Sequence, residues 1–343
     1  MARINVVNFR SRVVGVFKKD QIVIDGLQYC NWDRELFEDL LSGGLTAIHA
    51  TVSYWENAEE TNKRLDYWDN LFYEFNDLIL PVLTAEDIIL AKTGNKAGIM
   101  LGFQNCSPIE NDVFMVEHFF KRGVRFMQLT YNNQTVLGAG CFEDNDSGVS
   151  RFGQEVIAEM NRLGMVVDLS HAGEKTMIDA IKYSKKPVAI SHANPKFFHN
   201  AKRNISDSVL YALKDNEGLI GLSLYPFHLK DHSNCNIDDF CDMIFKLKEQ
   251  IGIDKIGIGS DLCSKWSNDV LVWMRNGKWT KKEDFGESKN NNPDWPTLPS
   301  WFQKASDLSN IAEKLLEKNM SSEDTNKIMG ENWLHILANV WGN

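Results

Sequence analysis

The sequence contains no run of about 18 uninterrupted apolar residues, which removes a bilayer-spanning helix from consideration. The apolar stretch near its start, residues 13–17, is broken by Gly15 and ends at Lys18, too short for the core of a signal peptide. Positive charge is not in excess: 37 Lys and Arg against 47 Asp and Glu leave a formal charge of −10 and a pI near 5.4. Phosphate binding needs clustered cations rather than an acidic field, so a small molecule is the expected partner and nucleic acid is not. Cysteine is scarce as well. Six residues with no CxxC spacing do not make a disulfide scaffold, and reduced thiols in a cytoplasmic protein without a membrane partner are expected.

One further absence bears on the fold: no Gly-rich phosphate turn of the kind that marks dinucleotide sites on open doubly wound sheets is present. What the chain does have is 43% hydrophobic and 24% charged residues, an ordinary globular balance. Short β-branched or apolar runs fall at 22–27, 45–51, 97–103, 126–130, 165–169, 187–191, 218–224 and 255–260. Near-continuous hydrophobicity of this kind suits parallel strands buried on both faces. The segments between them include 112–122, 151–163, 174–183 and 238–251, with apolar residues at three and four spacing. Eight strand–helix alternations predict one α/β domain over 1–343, a (β/α)8 TIM barrel, a fold that fills ~250 residues and absorbs more in its loops.

In such a barrel, chemistry sits where strands end and βα loops begin. Leu27, Gln28, Tyr29 and Cys30 close strand one, Gln104, Asn105 and Cys106 strand three, and Tyr131, Asn132 and Asn133 strand four. Strand five ends in Ser170 and His171, strand six in His192, strand eight in Asp261. Two histidines and a carboxylate on one face suit a metal that acidifies water: imidazole nitrogen holds the cation, and a carboxylate takes the proton.

The stretches MNRLGMVVDLSH (160–171), ISHANP (190–195), KRNISD (202–207) and IGIGSDL (256–262) resemble motifs of the renal, or membrane, dipeptidases. Weaker similarity extends over RFMQLTYNNQT (125–135) and GENWLHIL (330–337), so the resemblance covers most of the chain from about residue 22. It implies an amidohydrolase-like (β/α)8 barrel, two zinc ions and hydrolysis of dipeptides or related small amides. Residue by residue, it makes His171 and His192 ligands of the family's second zinc, Asp261 its strand-eight carboxylate and Arg203 the grip on the substrate's carboxylate. A guanidinium fork suits that last task because it can make two parallel hydrogen bonds.

The departures are as specific. The family's strand-one His-x-Asp pair falls on Leu27 and Tyr29, its bridging glutamate on Gln104, and its strand-four histidine on Tyr131. A neutral amide cannot offset two dications, so one zinc, or none, is expected rather than two. Gln104 (through its carbonyl), Cys106 or Asp261 would be the third ligand, and Cys30, Cys106 and Cys263 are candidate thiolates for the face that lost its carboxylates. Tyr131 is expected to donate to the substrate carbonyl in place of the missing histidine, with Asn132 beside it as a substrate contact. His49, His228 and His232 are weaker ligand candidates and possible substrate contacts, with core or loop hydrogen bonding the main role expected for each.

Residues 264–307, rich in Trp, Asn and Pro and including KNNNPDW (289–295), read as a long excursion without regular periodicity. A lid or an interface, with a possible homodimer, follows from its length. Its tryptophans would either pack that lid or cap a cationic substrate. The leading expectation is a metal-dependent hydrolase of a small carboxylate-bearing amide, with Asp261 as base. The alternatives are metal-free acid–base chemistry, as in a lyase or isomerase of a small zwitterion, and a ligand-binding protein without turnover.

Overall fold

The computed structural model describes residue 17, residues 20–278 and residues 294–342. Ten parallel strands occur among them: β1 (Ile24–Cys30), β2 (Ala47–Ser53), β3 (Ile79–Pro81), β4 (Ala97–Phe103), β5 (Val124–Gln128), β6 (Val166–Asp168), β7 (Ala189–Ile190), β8 (Leu219–Leu222), β9 (Ile256–Ile258) and β10 (Leu262–Ser264). Eight of them pair in the order β1-β2-β4-β5-β6-β7-β8-β9, and Asp25 opposite Ile258 closes β9 onto β1. The chain is therefore a (β/α)8 TIM barrel. β3 adds a short strand beside β4, and β10 continues the line of β9 along the end of β1, with Tyr29 opposite Cys263.

Every residue of β1, β2 and β4 is buried, as two-sided burial demands. Helices between strands start and stop on local signals. The Ser150 hydroxyl accepts from the Gly153 amide to begin Arg151–Leu163, and Gly164, at φ 85°, ends it. Val156, Ile157 and Met160 form its buried stripe. The sequence places this helix and Glu174–Tyr183 where they occur, and misses Ala58–Glu74 and the nine-residue helix Asn268–Asn276.

The end of the barrel opposite the site is plugged by Trp333 from the C-terminal helix Asn332–Trp341, whose indole donates to the Ile258 carbonyl at 2.8 Å. A Cβ on Gly26 or Gly257 would lie 2.3 or 2.6 Å from that indole, so close approach requires glycine at both positions. No helix among the described residues is long and apolar enough to cross a membrane.

Candidate active site

Three side chains of the site stand on residues with left-handed backbone: Asn132 (φ 58°), His171 (φ 68°) and Asp261 (φ 58°), following β5, β6 and β9. Left-handed backbone at a non-glycine residue costs on the order of 1–3 kcal/mol, and such residues cluster where function holds them. All three line one cavity, together with Gln104, Tyr131, Arg203, Tyr225 and His228 from the strand-end loops.

His171 and His192 face each other with Nε2 to Nε2 at 3.0 Å. Their outer nitrogens settle which end carries the proton. His171 Nδ1 lies 2.6 Å from the Asn132 side-chain oxygen, an acceptor, so Nδ1–H donates. His192 Nδ1 lies 2.8 Å from Ser191 Oγ, whose own hydrogen goes to Asp168, so this Nδ1 donates too. Asp168 holds its place by accepting from Ser170 N, Ser191 N and Gln128 Nε2 as well. Burial, then the nearby Arg203 charge, pushes both histidines well below the usual imidazole range. Two neutral rings thus aim lone pairs at one point. Two imidazole nitrogens bound to one tetrahedral ion at ~2.0–2.1 Å lie roughly 3.3 Å apart, so this pair fits a cation. Among the described residues no group of three His, Cys, Asp or Glu side chains is spaced to complete such a site.

Arg203 is buried at 2% exposure and donates from Nη2 to the His192 carbonyl at 2.9 Å. It shares the cavity wall with Asp261, so cation and carboxylate border the same space. Tyr131 packs against His171 with ring centroids 4.2 Å apart and the planes tilted by 31°, and burial holds its phenol well above the ordinary range, hence protonated. Asn132 also lines the cavity, with its oxygen already committed to His171 and to the Cys141 thiol.

The β1, β2 and β4 side of the rim is aromatic. Tyr29 stacks on Trp266 at 4.8 Å and meets Tyr54 edge-on, while Tyr54 meets Tyr131 edge-on at 5.0 Å. Gln104 donates through Nε2 to Thr51 Oγ1 and Tyr54 Oη, at 2.9 and 2.8 Å. Leu27 is wholly buried. The thiolates do not converge: Cys30 and Cys106 pack in the main core, and only Cys263 reaches the cavity. Burial pushes the Cys106 thiol up to about 11 and raises Cys263 well above the ordinary thiol range, against thiolate at neutral pH.

The excursion after β9 is partly regular. Helix Asn268–Asn276 turns Leu271, Met274 and Arg275 to the cavity, an i, i+3, i+4 face that the mixed composition of 264–307 conceals. Most of KNNNPDW, and Trp279, lie outside the described residues. Of the other tryptophans there, none is on the cavity wall. Trp266 donates to the Tyr29 carbonyl and Trp295 to the Ser267 carbonyl, contacts that pack the excursion. His49, inside the barrel, donates from Nδ1 to the Gly26 carbonyl and stacks on Phe126, and His232 packs on His199 and Phe227. His228 is different: six residues past the end of β8 at Leu222 it lines the cavity with Tyr225, where substrate contact is the lesser of the two roles expected for it.

The family model for membrane dipeptidases (peptidase family M19) matches residues 30–267. A dipeptidase of Claviceps purpurea, tcpJ, is 28% identical over 287 residues, covering 82% of this chain and 60% of its own, so the chain spans about three fifths of that curated relative. The crystal structure of an amidohydrolase from Pseudomonas aeruginosa superposes with a TM-score of 0.90 at 38% identity, over 95% of this chain and 98% of that one. A dipeptidase AC, described as a metallopeptidase of family M19, superposes at 0.79 with 17% identity over 94% and 100%, a likeness of fold.

Proposed function

The chain belongs to the membrane dipeptidase family, peptidase family M19, and from that premise we propose that it hydrolyses a small carboxylate-bearing amide, a dipeptide or close analogue, with one metal ion. The observation that carries this is the pair of lone-pair-bearing Nε2 atoms 3.0 Å apart beside a buried arginine and a carboxylate. His171 and His192 would hold the ion with the Gln104 carbonyl, since the amide nitrogen of Gln104 is engaged by Thr51 and Tyr54. A zinc-like ion bound there supplies Lewis acidity to water and carbonyl.

The chain's own groups do the rest. Arg203 grips the substrate carboxylate in a fork, and Asp261 accepts a proton from the attacking water. Tyr131 contacts the substrate over His171. Asn132 acts as a positioning residue, because its oxygen fixes the His171 tautomer. Six free thiols suit a reducing, cytoplasmic setting. The cavity of about 50 Å³ holds only a few waters at ~10–15 Å³ each, and the Asn268–Asn276 helix forms part of its wall.

The test is metal content by mass spectrometry beside hydrolysis of a dipeptide panel. About one ion per chain, activity lost on chelation and restored with zinc is the expected result. Hydrolysis that survives exhaustive chelation, or no ion after reconstitution, overturns the reading.

A further inference from the structure

His228 is buried, lines the cavity that holds His171, Arg203 and Asp261, and comes from the 3-10 turn Pro226–His228 after β8. That turn is fixed from two sides. The His228 carbonyl accepts from Asn194 Nδ2 at 3.2 Å and from Asn204 Nδ2 at 3.0 Å, and these residues belong to the loop that carries Arg203. Placement of this quality is what a catalytic group needs and a loop histidine does not.

The proton on the ring follows from Ser223. His228 Nδ1 lies 2.8 Å from Ser223 Oγ, and that oxygen already accepts from the Tyr225 amide at 3.2 Å. Ser223 is wholly buried, and its hydroxyl hydrogen is satisfied by donating to His228 Nδ1. Nδ1 is then the acceptor, and a neutral ring must carry its hydrogen on Nε2. Burial, with Arg203 and then His199 adding positive charge, holds the ring neutral at pH 7. The three buried histidines of the site therefore divide by tautomer. His171 and His192 hold Nδ1–H and present lone pairs, whereas His228 holds Nε2–H and presents a donor.

We infer that His228 is the catalytic hydrogen-bond donor to the scissile carbonyl, filling from the loop after β8 the role of the histidine that Tyr131 replaces after β5. The inference rests on the hydrolase reading above. As the carbonyl becomes a tetrahedral oxyanion, Nε2–H gives it a hydrogen bond that strengthens with the developing charge; no bond to His228 is made or broken. Removing one oxyanion donor typically costs ~10²–10³ in kcat. Ser223 is a positioning residue in this scheme, because its hydroxyl selects the tautomer.

Long-range ¹H–¹⁵N spectra of the imidazoles read the tautomers directly in the whole protein, with His228 assigned by the signal missing from His228→Gln. Binding of a phosphinate analogue of Ala-Ala, a tetrahedral mimic, is measured beside Ala-Ala hydrolysis in wild type, His228→Gln and Ser223→Ala. The expected results are an Nε2–H pattern for His228, a loss of ~10²–10³ in kcat with KM little changed, and weakened phosphinate binding in His228→Gln. Ser223→Ala is expected to show a smaller loss and a mixed tautomer. An Nδ1–H pattern for His228, or phosphinate affinity unchanged in His228→Gln at wild-type metal content, overturns the inference. If wild type hydrolyses no dipeptide, the hydrolase reading fails, while tautomer and phosphinate binding still decide whether His228 is a donor to a tetrahedral anion.

Discussion

On the β6, β7 and β9 side of the cavity the rim is polar and hydrogen-bonded to a fixed pattern: Asp168 sets Ser191, Ser191 sets His192, Asn132 sets His171. Across the cavity, β1, β2 and β4 present Tyr29, Tyr54 and an amide, Gln104, with Trp266 stacked on Tyr29 from the excursion. One side stores its specificity in tautomers and lone pairs, the other in ring packing. The difference teaches that one side of a barrel rim can keep its order without charged groups, because aromatic edges fill the volume and need no counter-charge.

The largest effect should come from striking the polar side. His192→Ala is expected to abolish metal binding and lower kcat/KM by more than the ~10–100-fold typical of losing a residue that only supports a ligand. Tyr29→Phe, across the cavity, is expected to leave both unchanged. Metal analysis and steady-state kinetics on the two variants check the contrast, and a Tyr29→Phe protein without metal would erase it.

Restoring a family-type carboxylate to the aromatic side should fail. Tyr29→Asp removes a ring stacked at 4.8 Å on Trp266 and buries a charge among aromatics. A loss of about 3–5 kcal/mol in urea unfolding is expected, the scale of deleting a large buried side chain. A variant of wild-type stability that binds a second zinc would show the aromatic side to be an open ligand site.

How far the residues alone foretell these halves follows from what each is made of. His171, His192, Arg203 and Asp261 stand out as candidates because polar residues at strand ends break a run of buried apolar ones and sit within quotable motifs, and the fold brings His171, Arg203 and Asp261 to one cavity with His192 against His171. The barrel is read for the same reason, from runs buried on both faces. Tyr225 escapes, and His228 is ranked first as a loop residue and only second as a substrate contact, since a loop's path back over the barrel leaves no periodic trace. The helix Asn268–Asn276 escapes too: Trp and Asn dilute its stripe, and its inward face is only Leu271, Met274 and Arg275. Asn132 lines the cavity, and the 2.6 Å contact of its oxygen with His171 Nδ1, which points to a positioning role beside the expected substrate contact, is visible only in three dimensions.

Acid should weaken the protein through its buried imidazoles. Burial lowers His49 from 6.5 to about 4, and lowers His171, His192 and His228 further in the same direction. A histidine whose folded pKa is depressed binds more protons unfolded than folded between the two values, so stability is full above about pH 6.5 and drains as pH falls toward 4. Urea unfolding of metal-free protein between pH 7.5 and 4.5 should show this decline, with a shallower slope in His228→Gln, which removes one titrating ring. A flat profile would mean that the polar side is already protonated when folded.

The smallest expected effect concerns the seam joining the excursion to the aromatic side. Trp55 donates from its indole to the Met274 carbonyl at 3.0 Å, and its ring packs on Gly277, where a Cβ would lie 3.1 Å from the indole and the positive φ of 65° would strain another residue. Trp55→Phe keeps an aromatic ring but removes the donor, so about 1 kcal/mol of stability should be lost, the net worth of one neutral hydrogen bond. Met274 and Arg275 border the cavity, so loosening this seam should also alter substrate access and shift KM more than kcat. A fall in kcat at constant KM would place Trp55 on the polar side's chemistry, and a loss as large as that of Tyr29→Asp would make the seam part of the aromatic core.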